Sequence, residues 1–374
     1  MYSSPCVTGG GEDLSGKAYF CPRMQTEKYD YLIVGQGLAG TIIAHHLFQM
    51  GRSFRIVDHP SLSISSKVAG GLFNPVVFKR LVKSWMADEQ LGAAEKFYGA
   101  METLLSSRFF FPKNLLKIFA EPQEKVLWEK KRLEEVGKYL SPIFEGPPDD
   151  SIQAPQGYAW VSGAGYVDVS LFLSLSTAFF LKQNLLLEET FDHSALRLDS
   201  EEVNYKNIIA SKVIFCEGHL ASQNPWFSWM PFNLAKGEVL TVKIPGYERT
   251  DVVNKGVFIL PIGNGLFRVG ATFAWDKLDE VPTEHAKQDL INRLQKVLKL
   301  PFEIVDHKAG IRPTVINRRP LIGIHPDHPT LTMFNGMGSK GVMIAPYFAH
   351  HFIAHLEEKI PLNPEVDILR FWKK

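Results

Sequence analysis

The chain has 374 residues, 45% hydrophobic and 22% charged. That is more than one hydrophobic core usually holds, so two domains are expected. Forty-one basic residues against 40 acidic ones give a net charge of +1, which excludes the strongly basic footprint of a dedicated nucleic-acid binder. Cys6, Cys21 and Cys216 form an odd set without metal-ligand spacing, which fits a reducing cytoplasm better than secretion, and no apolar run is long enough to span a membrane.

Residues 1–23 lack the apolar segment of a secretory signal, and residues 1–27 are expected to form a disordered extension, with the start of the native chain near Met24. Asp30 to Val34 then reads as a short strand running into Gly35-Gln36-Gly37-Leu38-Ala39-Gly40 and a helix through Met50. Gly35 permits a sharp turn, Gly37 removes the side chain that would hold a pyrophosphate off the backbone, and Gly40 lets the helix lie close to the strand. The helix start offers free N–H groups and a positive dipole end to phosphates. Ser53 to Val57 is the next strand, and Asp58 closes it where a carboxylate would accept from a ribose 2′-hydroxyl. Strand, glycine turn, helix, strand and acid together predict dinucleotide binding.

Ser65 to Pro75 is a small-residue stretch that can pass close to a flat ligand. Helical periodicity follows from about Ala87 to Leu140, with a strand near Leu116 to Ala120 and an amphipathic helix over Glu124 to Tyr139. Gly146 to Asp150 is a loop, Leu171 to Lys182 a buried helix capped by Asp168 or Ser170, and Leu185 to Phe191 and Leu196 to Leu198 are strands. Lys212 to Cys216 is a buried strand ending at Gly218. From Ala235 the pattern turns hairpin-like, with strands at Gly237 to Ile244, Gly256 to Pro261 and Leu266 to Thr272 around an Asn264-Gly265 turn. A helix over Glu284 to Lys299 and a final helix over Ile344 to Leu356 complete the chain.

The glycine turn with Asp58, then Ala69-Gly70-Gly71, Gly218, Gly310-Ile311-Arg312-Pro313, Pro320-Leu321-Ile322-Gly323 and Gly336-Met337-Gly338-Ser339-Lys340-Gly341, occur in the order that resembles the FAD-dependent D-amino acid oxidase-like superfamily. That group includes glycine oxidase, sarcosine oxidase and the FAD-dependent half of the tRNA methylaminomethyl-uridine enzyme. The resemblance runs from about residue 28 to the end. It implies an α/β fold: a Rossmann-like FAD domain of the glutathione-reductase type, built from residues 28–85, 150–225 and 305–374, and an α+β substrate domain with a mixed antiparallel sheet from residues 86–149 and 226–304. The cofactor implied is FAD. Its expected contacts are Gly35, Gly37, Leu38, Ala39, Gly40, Asp58, Ser66, Ala69, Gly70 and Gly71 from the first segment. Phe191 would offer backbone to adenine, Gly218 would let the chain pass close to the nucleotide, and Gly310 with Gly338, Ser339, Lys340, Gly341 and Val342 would come from the last segment.

The resemblance makes Arg312 a carboxylate clamp, a task that suits a planar fork of charge-assisted donors. Phe258, where glycine oxidase-like sequences carry tyrosine, and Thr272 would line the substrate pocket, and Trp275 stands near them. Ser339 beside Lys340 replaces a second arginine of those sequences, and Gly338-Ser339-Lys340-Gly341 is more similar to the tRNA-modifying branch. The activity implied is oxidation of a C–N bond in a small amino acid or N-substituted glycine, by hydride transfer to flavin N5, without a dedicated catalytic base or a metal. Two alternatives stand beside it: oxidation of an amino acid group carried on a tRNA wobble uridine, and flavin binding without turnover.

Overall fold

A computed structural model describes residues 26–59 and 64–373, so the expected disorder of residues 1–23 lies outside the described residues. The first strand, Glu27–Val34, begins within the last residue of the expected extension. It runs parallel to Phe54–Asp58 on one side and to Ile208–Phe215 on the other. Leu186–Glu188 pairs with Phe54–Asp58, and Leu331–Asn335 pairs with Ile208–Phe215, both parallel, so five parallel strands form the centre of an eight-stranded sheet. Leu321–Ile324 and the pair Leu196–Leu198 and Val203–Tyr205 are antiparallel additions at its margins.

The helices, in order, are α1 Leu38–Gln49, α2 Ile64–Val68, α3 Ala87–Leu104, α4 Pro122–Arg132, α5 Val169–Lys182, α6 Glu284–Gln295 and α7 Gly341–Glu358. α1, α3, α5 and α7 cover one face of the large sheet, where Ile33, Ile43, Phe97, Phe172 and Phe352 share a core. Central parallel strands are apolar on both faces because the other face is also buried, around Leu32, Phe215, Phe227 and Met333. Of the two caps expected for α5, it is Asp168 that accepts the Leu171 N–H, at 3.0 Å. The amphipathic helix expected through Tyr139 stops at Arg132 and resumes as a 3₁₀ turn, Glu135–Tyr139. Among the described residues no helix is long and apolar enough to cross a membrane.

A second, seven-stranded sheet has the order Glu303–Arg312, Ala235–Lys243, Leu266–Gly270, Phe258–Gly263, Val252–Asn254, Leu115–Ile118, Tyr158–Val161. It is antiparallel except where Val252–Asn254 runs parallel to Leu115–Lys117, so it is the expected mixed sheet. Two of its strands come from segments assigned above to the nucleotide domain. Tyr158–Val161 and Glu303–Arg312 sit here because their backbone partners are Leu115–Ile118 and Ala235–Lys243. In the opposite sense α3, expected in the substrate part, packs on α7, and its buried Phe97, Tyr98 and Met101 enter the core of the large sheet. Sheet pairing is decided by partners distant in the chain, which the local pattern does not reveal.

Candidate active site

The first parallel strand ends at Gly35, whose φ of +97° is open to glycine at little cost; a Cβ built there falls 2.7 Å from the Cys216 carbonyl oxygen. Gly40 is tighter, since a Cβ would fall 1.9 Å from the Gly35 carbonyl oxygen. Gly40 therefore brings α1 against the strand and does not itself line the cavity beside it. α1 has no acid in its first turn, and Ser66 Oγ accepts the Leu38 N–H at 3.2 Å. Such a helix start suits an anion.

That cavity measures about 650 Å³, the size of a cofactor cleft. Gly35, Gly37, Leu38, Ala39, Asp58 and Ser66 line one part of it. Phe191 and Gly218 stand in the same wall, with Glu217 and His193, which sequence reasoning missed. The Glu217 side chain is 7% exposed: His193 Nε2 lies 2.8 Å from one of its oxygens, and Asn224 Nδ2 donates to the other at 2.8 Å. The Cys216 thiol is pushed up by burial, which makes it a poor nucleophile.

Farther along, Ala69, Gly70, Gly71 and Gly310 line the cavity together with Phe258. A Cβ on Gly70 would fall 2.9 Å from Phe258 Cζ, so glycine at this position lets the Phe258 ring pack directly against the backbone. Arg268 Nη1 donates to the Ala69 carbonyl at 2.8 Å and ties this segment to the seven-stranded sheet. The start of α7 supplies Gly338, Ser339, Lys340, Gly341 and Val342, again with no acid in the first turn. Lys340 Nζ donates to Ser84 Oγ at 2.5 Å and to the Asn74 carbonyl at 3.3 Å, and burial pushes its ammonium down to about 8.

Arg312 closes the cavity at the end of its edge strand. Its Nη1 donates to the Thr272 carbonyl at 3.2 Å and reaches the Lys236 carbonyl at 3.5 Å, and its Cζ lies 4.1 Å from the centroid of the Phe273 ring. Burial lowers its affinity for the proton, to about 10, which leaves it a cation at neutral pH. Among the described residues it has no carboxylate partner. The space its guanidinium occupies exists because residue 237 is glycine. Thr272, expected in the pocket wall, instead turns its hydroxyl to the Glu238 N–H at 2.9 Å and serves Arg312 through its backbone. Trp275 is 59% exposed and outside the wall, and Phe273, next to it in space, takes the place expected of it. Gly237 and Phe273 carry no motif of their own; Gly237 is identified by its strand's pairing with the Arg312 strand, and Phe273 by its ring against the guanidinium.

Two acid-free helix starts, bare glycine backbone along the cavity, an acid at the end of the second strand and a half-buried lysine with no carboxylate partner among the described residues make a site for a long, anionic, flat-ringed dinucleotide. FAD fits this set. The fold and site define a flavin-dependent oxidoreductase, a largely parallel sheet joined to a mixed sheet whose residues line the other side of the cavity. The family model of FAD dependent oxidoreductases, DAO, matches residues 30–355, and the chain belongs to that family. It is 23% identical over 344 residues to a glycine oxidase of Bacillus licheniformis, a match covering 86% of this chain and 90% of the relative. Glycine oxidase from Geobacillus kaustophilus has the same fold, with a TM-score of 0.76 at 19% identity over 92% of this chain and 98% of that one. So has iminodiacetate oxidase from Chelativorans sp. BNC1, with a TM-score of 0.72 at 17% identity over 90% and 98%.

Proposed function

We propose that this flavoenzyme oxidises the C–N bond of a small amine that bears a carboxylate, an amino acid or an N-substituted glycine. The observation that carries the reading is Arg312: a desolvated guanidinium in the cavity wall, with no carboxylate partner among the described residues and donors left over beyond the one spent on backbone carbonyls. A buried cation in that state gains most from an anionic ligand. The oxidases it is similar to in sequence and fold are described as acting on glycine and on iminodiacetate, both amines with a carboxylate.

In this reading the large sheet carries the nucleotide and the seven-stranded sheet carries the substrate. Gly35, Gly37, Leu38, Ala39, Asp58, Ser66, Gly70, Gly71 and the α7 start would hold the FAD, which would supply the two-electron acceptor. Arg312 fixes the carboxylate, Phe258 sets an apolar wall, and the half-exposed Phe273 ring stacks on the guanidinium. Position replaces a general base, since a neutral amine lone pair assists loss of hydride from carbon. The balanced charge of the chain disfavours a tRNA-borne substrate.

Anaerobic mixing of the purified holoprotein with glycine, sarcosine, proline and D-amino acids tests this. Bleaching of the flavin band by at least one of them is expected. If none bleaches it, the reading fails, and salt-dependent retention of tRNA would then favour the RNA-borne substrate.

A further inference from the structure

Behind the cavity wall, on the far face of the Ala235–Lys243 strand, the protein buries a group of charges. Lys236 and Glu238 are 2% and 3% exposed, and they alternate with Gly237 and Val239, which line the cavity. Lys236 Nζ donates to Asp279 Oδ1 at 2.6 Å and to the Val281 carbonyl at 2.5 Å. Glu238 accepts the N–H and the hydroxyl of Thr283, at 2.8 and 2.9 Å, and His307 Nε2 lies 2.9 Å from its second oxygen. The backbone adds to this: Thr272 N–H donates to the Glu238 carbonyl, and residues 236 and 274 exchange both of their hydrogen bonds.

Residues 272–283, a segment with no helix or extended strand of its own, are thus tied to this strand at both ends and in the middle. The same segment provides the environment of Arg312. Thr272 gives it a carbonyl and Phe273 the ring face, while the other carbonyl acceptor is that of Lys236 itself. Burying several charged groups is a poor way merely to stabilise a loop, because apolar side chains of similar volume would do at least as well. Directional ionic ties are suited to holding one geometry.

We propose that Lys236, Glu238 and Asp279 are positioning residues for Arg312: they hold residues 272–283 so that the Thr272 carbonyl and the Phe273 ring aim the guanidinium into the cavity. This rests on the reading of Arg312 as the carboxylate clamp.

The test uses the holoenzyme, with acetate as probe and acetamide as its neutral counterpart, each titrated through the perturbation of the flavin band. Asp279→Ala leaves the buried Lys236 ammonium with Glu238, at 3.8 Å, as its remaining carboxylate, so the melting temperature is measured beside each titration to separate loss of fold from loss of position. The variant is expected to weaken acetate about tenfold and acetamide less than about twofold, with Asp279→Glu restoring most of the loss. In an Arg312→Met background, Asp279→Ala has no further effect on acetate. Trypsin cleavage after the exposed Lys277 speeds up in both Asp279→Ala and Glu238→Gln, a readout that needs no ligand. Equal losses for acetate and acetamide, a further loss in the Arg312→Met background, or unchanged cleavage would each overturn the positioning role. Acetate binding unchanged in Arg312→Met would overturn the clamp reading itself. Acetate weakened in Arg312→Met but not in Asp279→Ala removes the positioning role alone.

Discussion

Arg312 and Gly237 share one volume. A Cβ built on Gly237 falls 2.0 Å from Arg312 Nη2 and 2.2 Å from Cζ, so the guanidinium lies where any other residue would begin its side chain. The antiparallel register pairs Gly237 with Gly310 and Ala235 with Arg312, which lets the arginine fold diagonally across its neighbour strand.

Gly237→Ala therefore has to expel the guanidinium from its seat. The expected outcome is a stability loss of about 1–3 kcal/mol together with a rise in Kd for acetate of about tenfold or more. Thermal melting and acetate titration of the holoenzyme measure the two effects; a variant that binds acetate like the parent would show that Arg312 is not held by this contact.

Arg312→Lys keeps the charge and loses the planar fork and the Phe273 stack. Because a charge-assisted hydrogen bond contributes about 1.5–3 kcal/mol, kcat/KM for the carboxylate substrate should fall on the order of 10- to 100-fold, with FAD content unchanged. Steady-state kinetics beside the flavin absorption ratio checks this, and loss of FAD would assign Arg312 to the cofactor instead.

Gly40→Ala places a methyl 1.9 Å from the Gly35 carbonyl oxygen, a backbone atom that cannot turn aside. α1 must move off the strand, and its N-terminus leaves the cavity. The protein should purify largely without flavin, read from the ratio of flavin to protein absorbance. Full retention would mean that the α1 start contributes little to cofactor binding.

Burial lowers the Lys340 ammonium from its ordinary 10.5 to about 8. The unfolded chain then binds more protons than the folded one between those values, so this residue's contribution to stability rises with pH from about 8 toward 10.5. Below about 8 the buried charge costs its full amount. The melting temperature of Lys340→Met relative to the parent should show the mutant's advantage shrinking across that window in apoprotein. A difference independent of pH would place the lysine in water.

The sequence by itself determined the nucleotide half. A strand, a glycine turn and a helix are contiguous, and their physics is local: positive φ at Gly35, close approach at Gly40, a helix start whose N-cap glycine has no side chain to cap it. The Arg312 motif and the α7 glycines were legible through the order in which they resemble the family's motifs, not through local physics. What only the tertiary structure decided is who stands beside Arg312. Gly237, Phe273 and the buried Lys236 and Glu238 carry no signature, and Thr272 looked like a pocket residue until its hydroxyl was seen to meet the Glu238 N–H. Likewise Tyr158–Val161 and Glu303–Arg312 joined the second sheet through partners far along the chain. Sheet register brings distant segments together through backbone hydrogen bonds, which every residue but proline can form, so local sequence does not record the choice.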